Sequence, residues 1–436
     1  MPPKKQKTTP ISDPVPVPAP AKLRMVDLFA GTGAFTHAFT STGKVDCVFA
    51  NDMVPASEQI YNENFGQSHK LTLKNLHDVT VEEIPPHDIL TGGFPCQPFS
   101  IAGQQKGFQD VRSNVFFKIL AIIDRHNPRC VILENVKNLL THGSIKAPKK
   151  LKKGESGYVE LPKKGEAGYV SPPRKPRKGE EGYVEKLKFG PTFQRIKTEL
   201  ENRGYIIQYK VLNTAKITTV PQHRERIYIV CLKDKKIADT FNLDFPTVTK
   251  STVESLLEKG AILDKYYYTE EKNNKVSIRK PKEDENVLIP EGEEEPIEEE
   301  DEESEELDEE AEEEATNGDT EAPAKEKKTI WQLVKDSVTK ENTVYQYRRV
   351  YVRENKSDEC PTLTANMGGG GHNVPLVKDK TGIRKLTPRE CFNFQGFPTT
   401  YKLPGLSDSH LYKLAGNAVS VPVVKLIAER LVPLLS

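Results

Sequence analysis

Several features that would narrow the function of this chain are scarce or missing. Its 436 residues include one tryptophan and six cysteines, with no C-x-x-C pair and no paired Cys/His spacing typical of a zinc site. No apolar run approaches the roughly 18 residues that span a membrane, and the N-terminus lacks the apolar core of a secretion signal. We therefore expect a soluble intracellular protein, in cytoplasm or nucleus, with reduced thiols and no metal.

The chain also lacks net charge, but only on average. Its 63 basic and 63 acidic residues cancel, yet 18 acidic and no basic residues fall within positions 291–314. The other 412 residues carry 63 basic and 45 acidic side chains, a net charge of +18. Because a basic body attracts polyanions, nucleic acid is an expected partner. The N-terminal PPKKQK is either a nuclear address or, as a lone lysine cluster more often is, part of a solvated tail.

The order of the apolar runs predicts an α/β fold. LRMVDLFA, DCVFAND, HDILTGG and RCVILENV are separated by stretches long enough for helices, and YIIQYKVL and RIYIVCL follow. Runs rich in Val, Ile and Phe without alternation are typical of strands buried on both faces of a mostly parallel sheet. SNVFFKILAIIDRHNP has helical spacing up to Pro128, which predicts a helix between two strands.

Two segments interrupt this pattern. Residues 144–189 contain the related units KKGESGYVE, KKGEAGYVS and RKGEEGYVE, with 13 basic and 6 acidic side chains. We expect an extended insertion that either adds nonspecific affinity for nucleic acid or is a plain solvated loop. The acidic insertion, 283–328, is expected to be disordered, either as a solubilising linker or as a nucleic-acid mimic that competes for the basic face.

The stretch MVDLFAGTGAFTHAF predicts a strand, a tight glycine turn and a helix. Gly31 and Gly33 let the backbone approach a ligand, and Asp27 lies at the end of the strand. Asp52 closes the next strand, 21 positions after Gly31, where a carboxylate can accept hydrogen bonds from ribose hydroxyls. The pattern suits a dinucleotide or S-adenosylmethionine, and Thr36 replaces the third glycine of the dinucleotide pattern.

A cysteine lies between two prolines in TGGFPCQPFS, directly after a predicted strand. A thiol reacts as the thiolate, which needs an electropositive, partly exposed setting such as a loop at the carboxyl edge of a parallel sheet. A buried structural cysteine accounts well for Cys47, Cys130, Cys231 and Cys391. It explains neither the glycines nor the prolines around Cys96, which we predict to be a nucleophile.

Motifs elsewhere in the chain extend this pattern in a fixed order. GGFPCQPFS is followed by ENV (134–136), QHRERIYIV (222–230), RKLTPREC (384–391) and GNAVSVPVV (416–424). Together they resemble the cytosine-5 DNA methyltransferase family of the bacterial or viral restriction-modification type, over about residues 22–436 apart from the two insertions.

The resemblance implies a Rossmann-like, S-adenosylmethionine-dependent α/β core with a mixed, mostly parallel sheet, plus a smaller target-recognition domain. The implied order is a disordered tail (1–21), the catalytic domain (22–240), the target-recognition domain (241–380) and a C-terminal segment (381–436) that returns to the catalytic domain.

The resemblance also assigns catalytic roles. Cys96 matches the nucleophile that adds to carbon 6 of a cytosine flipped out of duplex DNA, which makes carbon 5 reactive towards a methyl sulfonium. Glu134 matches the carboxyl group that donates a hydrogen at N3. Arg224 and Arg226 would project from one face of a strand to hold the cytosine carbonyl and order the thiol loop.

For the cofactor, Phe29 would lie on the adenine, Asp52 on the ribose, and Asp78 near the adenine amino group. Met53 stands where the family often has an aromatic residue. The full set of implied cofactor residues is Asp27, Phe29, Gly31, Gly33, Asp52, Met53, Asp78, Val79, Pro95, Asn417 and Val419.

For DNA, the loop 100–112 would close over the duplex, since its glycines permit motion. Arg and Asn side chains in YQYRRVYVRENKSDECPTLTANMGGGGHNVPLV can recognise base edges. A framework role for Arg348 or Arg349 is equally open. The DNA-contacting residues are expected to be Gln97, Ser100, Arg348, Arg349, Thr362 and Leu363.

Two other functions compete with this interpretation. An RNA methyltransferase of the same superfamily is disfavoured by the FPCQPFS sequence around the cysteine and by the long recognition region. A catalytically silent DNA-binding relative is disfavoured because every reacting residue is present. We expect a monomer acting on double-stranded DNA, with a cognate restriction endonuclease as a candidate partner.

Overall fold

The computed structural model describes residues 22–95, 115–142, 189–273, 328–348, 351–367 and 374–436. Several predictions concern residues outside these ranges. They are the roles given to Cys96, Gln97, Ser100 and Arg349, the closing loop 100–112, the N-terminal tail and the two insertions apart from their last residues.

Seven strands form the central sheet, in the spatial order β3-β2-β1-β4-β5-β7-β6. Neighbouring strands are parallel except where β7 pairs with β5 and β6, so the sheet is mixed and mostly parallel, as predicted. Six of the strands fall on the predicted apolar runs. The strands are β1 (Leu23–Leu28), β2 (Val45–Asp52), β3 (Leu71–Leu73), β4 (Ile89–Gly93), β5 (Cys130–Val136), β6 (Ile206–Asn213) and β7 (Glu225–Leu232).

Helices cover both faces of this sheet, and others lie beside it. In chain order, the helices of the described residues are α1 (Ala34–Thr40), α2 (Pro55–Phe65), α3 (Val115–His126), α4 (Pro191–Glu201), α5 (Thr214–Ile217), α6 (Lys235–Thr240), α7 (Glu270–Asn273), α8 (Ile330–Ser337), α9 (Pro388–Phe394), α10 (Asp408–Asn417) and α11 (Val421–Leu435). Helices α7 and α8 contact each other and contribute no residue to the two cores of this sheet. The predicted helix before Pro128 is α3. No helix in the described part of the chain is long and apolar enough to cross a membrane.

Neighbouring strand residues alternate between two apolar cores. Ile132 of β5 packs into the core that includes α1 and α11, whereas Val131 and Leu133 pack into the core that includes α3 and α4. Cys130 and Cys231 are fully buried in opposite cores, which is the structural role expected for them. Burial on both faces explains why these strands lack polar alternation.

A second, antiparallel sheet has the order β11-β10-β8-β9. Its strands are β8 (Tyr345–Arg348), β9 (Tyr351–Glu354), β10 (Leu376–Lys378) and β11 (Ile383–Lys385). Tyr345, Leu376 and Ile383 form a small core with Val334 of α8. The sheet thus includes β11, which the predicted boundaries assign to the returning segment.

The RKLTPREC motif anchors β11 to α9 through a buried ion pair. The Arg384 guanidinium donates to both carboxylate oxygens of Glu390, at 2.7 and 2.8 Å, and to Asp379 at 2.6 Å. Thr387 caps α9, and Glu390 closes the capping box. Since bidentate geometry fixes both partners, the motif sets the small sheet against the C-terminal helices.

The end of the chain packs back onto its beginning. Helix α11 lies against α1 within one core. The Tyr401 hydroxyl donates to the Thr32 carbonyl in the glycine turn, at 2.6 Å, and Arg129 donates to the Leu435 carbonyl at 2.7 Å. Residues near 400 therefore support the turn that follows β1.

Candidate active site

Glu134 lies at the carboxyl edge of the sheet beside the strand that leads to Cys96. In the parallel pairing of β4 with β5, Gly93 is the register partner of Glu134. Asn135 donates from its side-chain amide to the Phe94 carbonyl at 2.8 Å, which fixes the chain just beyond β4. A Cβ atom built at Gly93 would lie 3.5 Å from Glu134 Oε2 and 3.5 Å from Val419 Cγ2. The structure therefore brings Glu134 and Val419 together around Gly93.

The surroundings of Glu134 favour its protonated form. Its side chain is buried, and among the described residues Oε1 has no hydrogen-bond partner. Burial raises the pKa of Glu134, although the nearby Arg226 and Arg224 act in the opposite direction. Arg226 Nε lies 3.5 Å from Oε1, beyond good hydrogen-bond distance. The site thus holds a carboxyl group that can donate a hydrogen, next to a cation.

The two arginines of QHRER have different surroundings. Arg226 lies within β7 near Glu134, whereas Arg224 precedes the strand and is almost fully buried. The Arg224 guanidinium donates to the carbonyls of Leu363, Gly416 and Ala418 at 2.9, 3.1 and 2.9 Å. It therefore ties its own segment to two distant ones, around Leu363 and around residues 416–418.

The Thr-Leu element lies against this edge of the sheet. The Thr362 hydroxyl donates to the His223 carbonyl at 2.6 Å, and the Leu363 side chain is buried. A Cβ atom at Gly416 would lie only 2.1 Å from the Thr364 carbonyl oxygen, so this close approach requires glycine. The structure brings Thr362 and Leu363 next to the QHRER motif, whereas Arg348 lies on β8 and donates to Gln346 at 3.3 Å.

The glycine turn after β1 has a left-handed backbone that glycine adopts readily and that allows a ligand to approach closely. Gly31 and Gly33 have φ of 52° and 71°, and Phe29 has φ of 53°, which is rare for an aromatic residue. A Cβ atom at Gly33 would lie 2.4 Å from the Phe65 ring. The Gly31 amide donates to Asp52 Oδ2 at 2.9 Å, which joins the turn to the end of β2.

Asp27 lies beneath this turn with no solvent exposure. Its Oδ2 accepts hydrogen bonds from the Thr36 amide and hydroxyl at 3.2 and 2.8 Å, and Oδ1 accepts one from the Thr91 hydroxyl at 2.8 Å. Burial, the largest effect, raises the pKa of Asp27 to about 6. This network explains why position 36 is threonine rather than glycine.

The other predicted cofactor residues surround the turn or the sheet edge next to it. Asp52 also accepts from the Val54 amide at 2.9 Å, and burial raises its pKa. Met53 is 63% exposed, and Pro95, Asp78 and Asn417 are exposed, whereas Val79 is buried. A positive-φ glycine turn, a carboxylate held at its rim and an exposed thioether beside it fit a nucleoside with a charged tail such as S-adenosylmethionine.

Sequence reasoning missed three polar residues at this site. Thr91 stabilises Asp27, and Asn135 fixes the chain before Cys96. Tyr228 is the register partner of Glu134 in β7, and its buried hydroxyl has no hydrogen-bond partner among the described residues. Asn135 is the middle residue of the ENV motif, so the sequence could have pointed to it. The roles of Thr91 and Tyr228 depend on pairing between strands.

The raised pKa of Asp27 predicts a pH-dependent stability difference. Protonated Asp27 stabilises the folded protein, and this contribution is lost as the pH rises through about 6. At about pH 7.5, Asp27→Asn should therefore be up to about 3 kcal/mol more stable than wild type, with the difference shrinking towards pH 4. Urea unfolding at both pH values measures it, with the exposed Asp46→Asn as control; a less stable Asp27→Asn at pH 7.5 would contradict the assignment.

The packing at Gly416 predicts a position-specific alanine effect. Gly416→Ala should destabilise the protein by about 2 kcal/mol or more, because the new methyl group meets backbone that cannot move freely. Gly405→Ala is the matched control, since no atom lies within 4 Å of a Cβ atom there. Thermal unfolding of both variants tests the contact, and equal melting temperatures would show that the Thr364 segment does not pack on α10.

Comparisons with known proteins agree with this geometry. A profile of the C-5 cytosine-specific DNA methylase family matches residues 23–158 and 183–433. The type II methyltransferase M.Bsp6I of Bacillus sp. (strain RFL6) is 36% identical over 94% of this chain and 98% of its own length. The type II methyltransferase M.HhaI of Haemophilus parahaemolyticus is 28% identical over 93% of each chain.

Solved structures show the same fold. The Dnmt2 methyltransferase of S. pombe superposes with a TM-score of 0.56 at 16% identity, over 95% of this chain and 99% of that one. The methyltransferase EhMeth of Entamoeba histolytica has a TM-score of 0.57 at 13% identity, with the same coverage. The family profile and the identity to M.Bsp6I confirm the resemblance seen in the motifs: this chain belongs to the C-5 cytosine-specific DNA methylase family.

Proposed function

We propose that this protein transfers a methyl group from S-adenosylmethionine to carbon 5 of a cytosine flipped out of a specific duplex DNA sequence, through a covalent adduct with Cys96. The observation that carries the proposal is the buried Glu134 carboxyl group, paired in register with Gly93 at the end of the strand that leads to Cys96. Family membership supports cytosine in DNA as the substrate class.

The chain itself limits how far the nucleophile lies from the acid. Cys96 follows Gly93 by three residues, a separation that spans at most about 11 Å. This limit is compatible with one pyrimidine ring held between a thiolate that attacks carbon 6 and a carboxyl group that reaches N3. The Phe94 carbonyl, held by Asn135, makes the start of this short connection rigid.

Covalent addition solves the chemical problem of an unreactive ring carbon. When the Cys96 thiolate bonds to carbon 6, the ring electrons move towards N3, where the Glu134 proton neutralises the developing charge. The resulting enamine is nucleophilic at carbon 5, and S-adenosylmethionine supplies an electrophilic methyl group there. Loss of the carbon 5 proton to a base then restores the ring double bond and expels the thiolate, and N3 returns its proton to Glu134.

The two arginines would serve this reaction differently. Arg226, whose Nε lies 3.5 Å from Glu134 Oε1, would hold the cytosine carbonyl and stabilise its negative charge. Arg224 acts as a positioning residue, because its guanidinium already donates to three backbone carbonyls. The Thr362 segment and the Asn417 end of α10 are thereby held at the same edge of the sheet.

The cofactor would bind around the glycine turn. Asp52 would accept hydrogen bonds from the ribose hydroxyls, with Phe29, Met53, Asp78 and Val79 around the adenine. Gly31 and Gly33 permit the close approach, and Asn417, Val419 and Pro95 would line the side that faces the reacting cytosine. Asp27 is buried and acts from beneath the turn rather than by contact.

Double-stranded DNA is the proposed partner, with Gln97, Ser100, Thr362, Leu363, Arg348 and Arg349 as candidate contacts. The net charge of +18 outside positions 291–314 supports phosphate binding. We further propose a monomer that acts wherever its DNA resides, in cytoplasm or nucleus. A cognate restriction endonuclease is its proposed companion, because the relatives M.Bsp6I and M.HhaI are type II methyltransferases.

Mechanism-based trapping tests the covalent step. Duplex DNA containing 5-fluorocytosine cannot lose fluorine as a cation, so wild type with S-adenosylmethionine should form an adduct that survives denaturing electrophoresis. Cys96→Ser should form none, and Cys47→Ser is the matched thiol control and should still react. A tRNA substrate serves as the comparison. Absence of any DNA adduct across mixed duplex sequences, or an adduct with tRNA alone, would contradict the proposal.

The role of Glu134 predicts a loss of rate without a loss of binding. Glu134→Gln keeps the shape but cannot give up a proton, so kcat should fall by about 10²- to 10⁴-fold while DNA affinity stays within about twofold. The wild-type rate should fall as pH rises through the raised pKa of Glu134, and the variant should lack this decline. Glu429→Gln, at an exposed position of α11, is the control. Unchanged kcat in Glu134→Gln would rule out proton donation.

A further inference from the structure

Among the described residues, the buried Asp27 carboxylate accepts hydrogen bonds from neutral groups alone. Its three donors are the amide and hydroxyl of Thr36 and the hydroxyl of Thr91. None of the ion pairs formed by the described residues includes Asp27. Neutral donors orient towards a charge without cancelling it, so the field of this carboxylate extends into its surroundings.

The glycine turn of the proposed cofactor site lies next to this carboxylate, because Thr36, just after the turn, donates to it. Asp27 is the penultimate residue of β1, and its register partner Thr91 precedes Gly92 in β4. A Cβ atom at Gly92 would lie 3.6 Å from the Phe29 ring. The carboxylate thus lies below the point where the turn and the end of β4 approach each other, with low-dielectric protein around it.

We propose that the buried Asp27 carboxylate makes the cofactor site selective for a cation, so that it favours S-adenosylmethionine over the product S-adenosylhomocysteine. This inference rests on the proposed function. The two molecules share adenine, ribose and the amino-acid tail, and they differ in one methyl group and the positive charge on sulfur. A fixed anion that contacts neither can distinguish them through that charge, which promotes product release.

Between pH 5 and 7, the charge of Asp27 is the main charge near the turn that changes with pH. Burial raises the pKa of Cys47 on β2 to about 11 and that of Tyr61 on α2 well above its usual value, so both stay neutral below pH 8. Asp52 at the end of β2 is the other acidic neighbour. It is less buried than Asp27, and in the proposed site it would contact the ribose, which both ligands share.

The network can accept a neutral isostere. In Asp27→Asn, the amide oxygen can take the Thr36 hydrogen bonds while the amide nitrogen donates to the Thr91 hydroxyl. That hydroxyl can then donate to the Val26 carbonyl, which lies 3.3 Å away. The substitution therefore removes the charge while it keeps the hydrogen bonds, and the fold should persist.

Calorimetric titration of the full-length protein with each ligand, without DNA, tests the proposal. The quantity of interest is the ratio of the Kd for S-adenosylhomocysteine to that for S-adenosylmethionine, because shared contacts cancel in it. At about pH 7, Asp27→Asn should lower this ratio by about tenfold relative to wild type. Lowering the pH to about 5 should reduce the wild-type ratio towards that of the variant, because Asp27 becomes protonated, while the ratio of the variant stays constant.

Two further variants sharpen the result. Asp46→Asn removes an exposed charge from β2, and its ratio should match that of wild type. Asp52→Asn should weaken both ligands and preserve the pH dependence of the ratio. Equal ratios for wild type and Asp27→Asn at pH 7 would overturn the proposal, and so would a wild-type ratio that does not change between pH 7 and 5, even if the variant failed to fold. If wild type bound neither ligand, the proposed cofactor itself would be wrong.

Discussion

The parallel pairing of β4 with β5 is the constraint on which the active site depends. It sets Gly93 opposite Glu134, so a carboxyl group at the end of one strand lies beside the start of the loop that carries Cys96. A shift of one residue would turn Glu134 to the other face of the sheet. The two apolar cores, which bury alternate residues of β4 and β5, hold the register in place.

Two carboxyl groups lie buried at the same edge of the sheet, although burying such groups is unfavourable for folding. Glu134 and Asp27 are both buried with raised pKa values, and each lies at the carboxyl end of a central strand. Carboxyl groups with perturbed pKa values concentrate at functional sites, where charged groups of the substrate can interact with them. Arg224 differs, because its charge joins distant backbone segments. The Arg384–Glu390 pair differs too, because its opposite charges contact each other and join β11 to α9.

Much of this arrangement could be predicted from sequence, and the exceptions have physical causes. Six strands of the central sheet appear as apolar runs, and the inner ones do so because they are buried on both faces, whereas the edge strand β6 is mostly half-buried. Strand β3 is only three residues long and gives no pattern. The antiparallel direction of β7 depends on pairing rather than composition. The Glu134 position follows from ENV at the end of a strand. The partners of Arg224 lie at least 139 residues away in sequence, so no local pattern could reveal its role. Asp27 looked like a ligand contact because only the fold shows that Thr36 and Thr91 enclose it.

The central claim is that Cys96 and Glu134 act on opposite sides of one cytosine ring. A crystal structure of the protein bound to duplex DNA with 5-fluorocytosine and S-adenosylmethionine tests it most directly. The account predicts continuous electron density from the Cys96 sulfur to carbon 6, with a Glu134 carboxyl oxygen within about 3 Å of N3 of the same base. A trapped base bonded to Cys96 with Glu134 turned away from N3, or a base bonded to another residue, would contradict it.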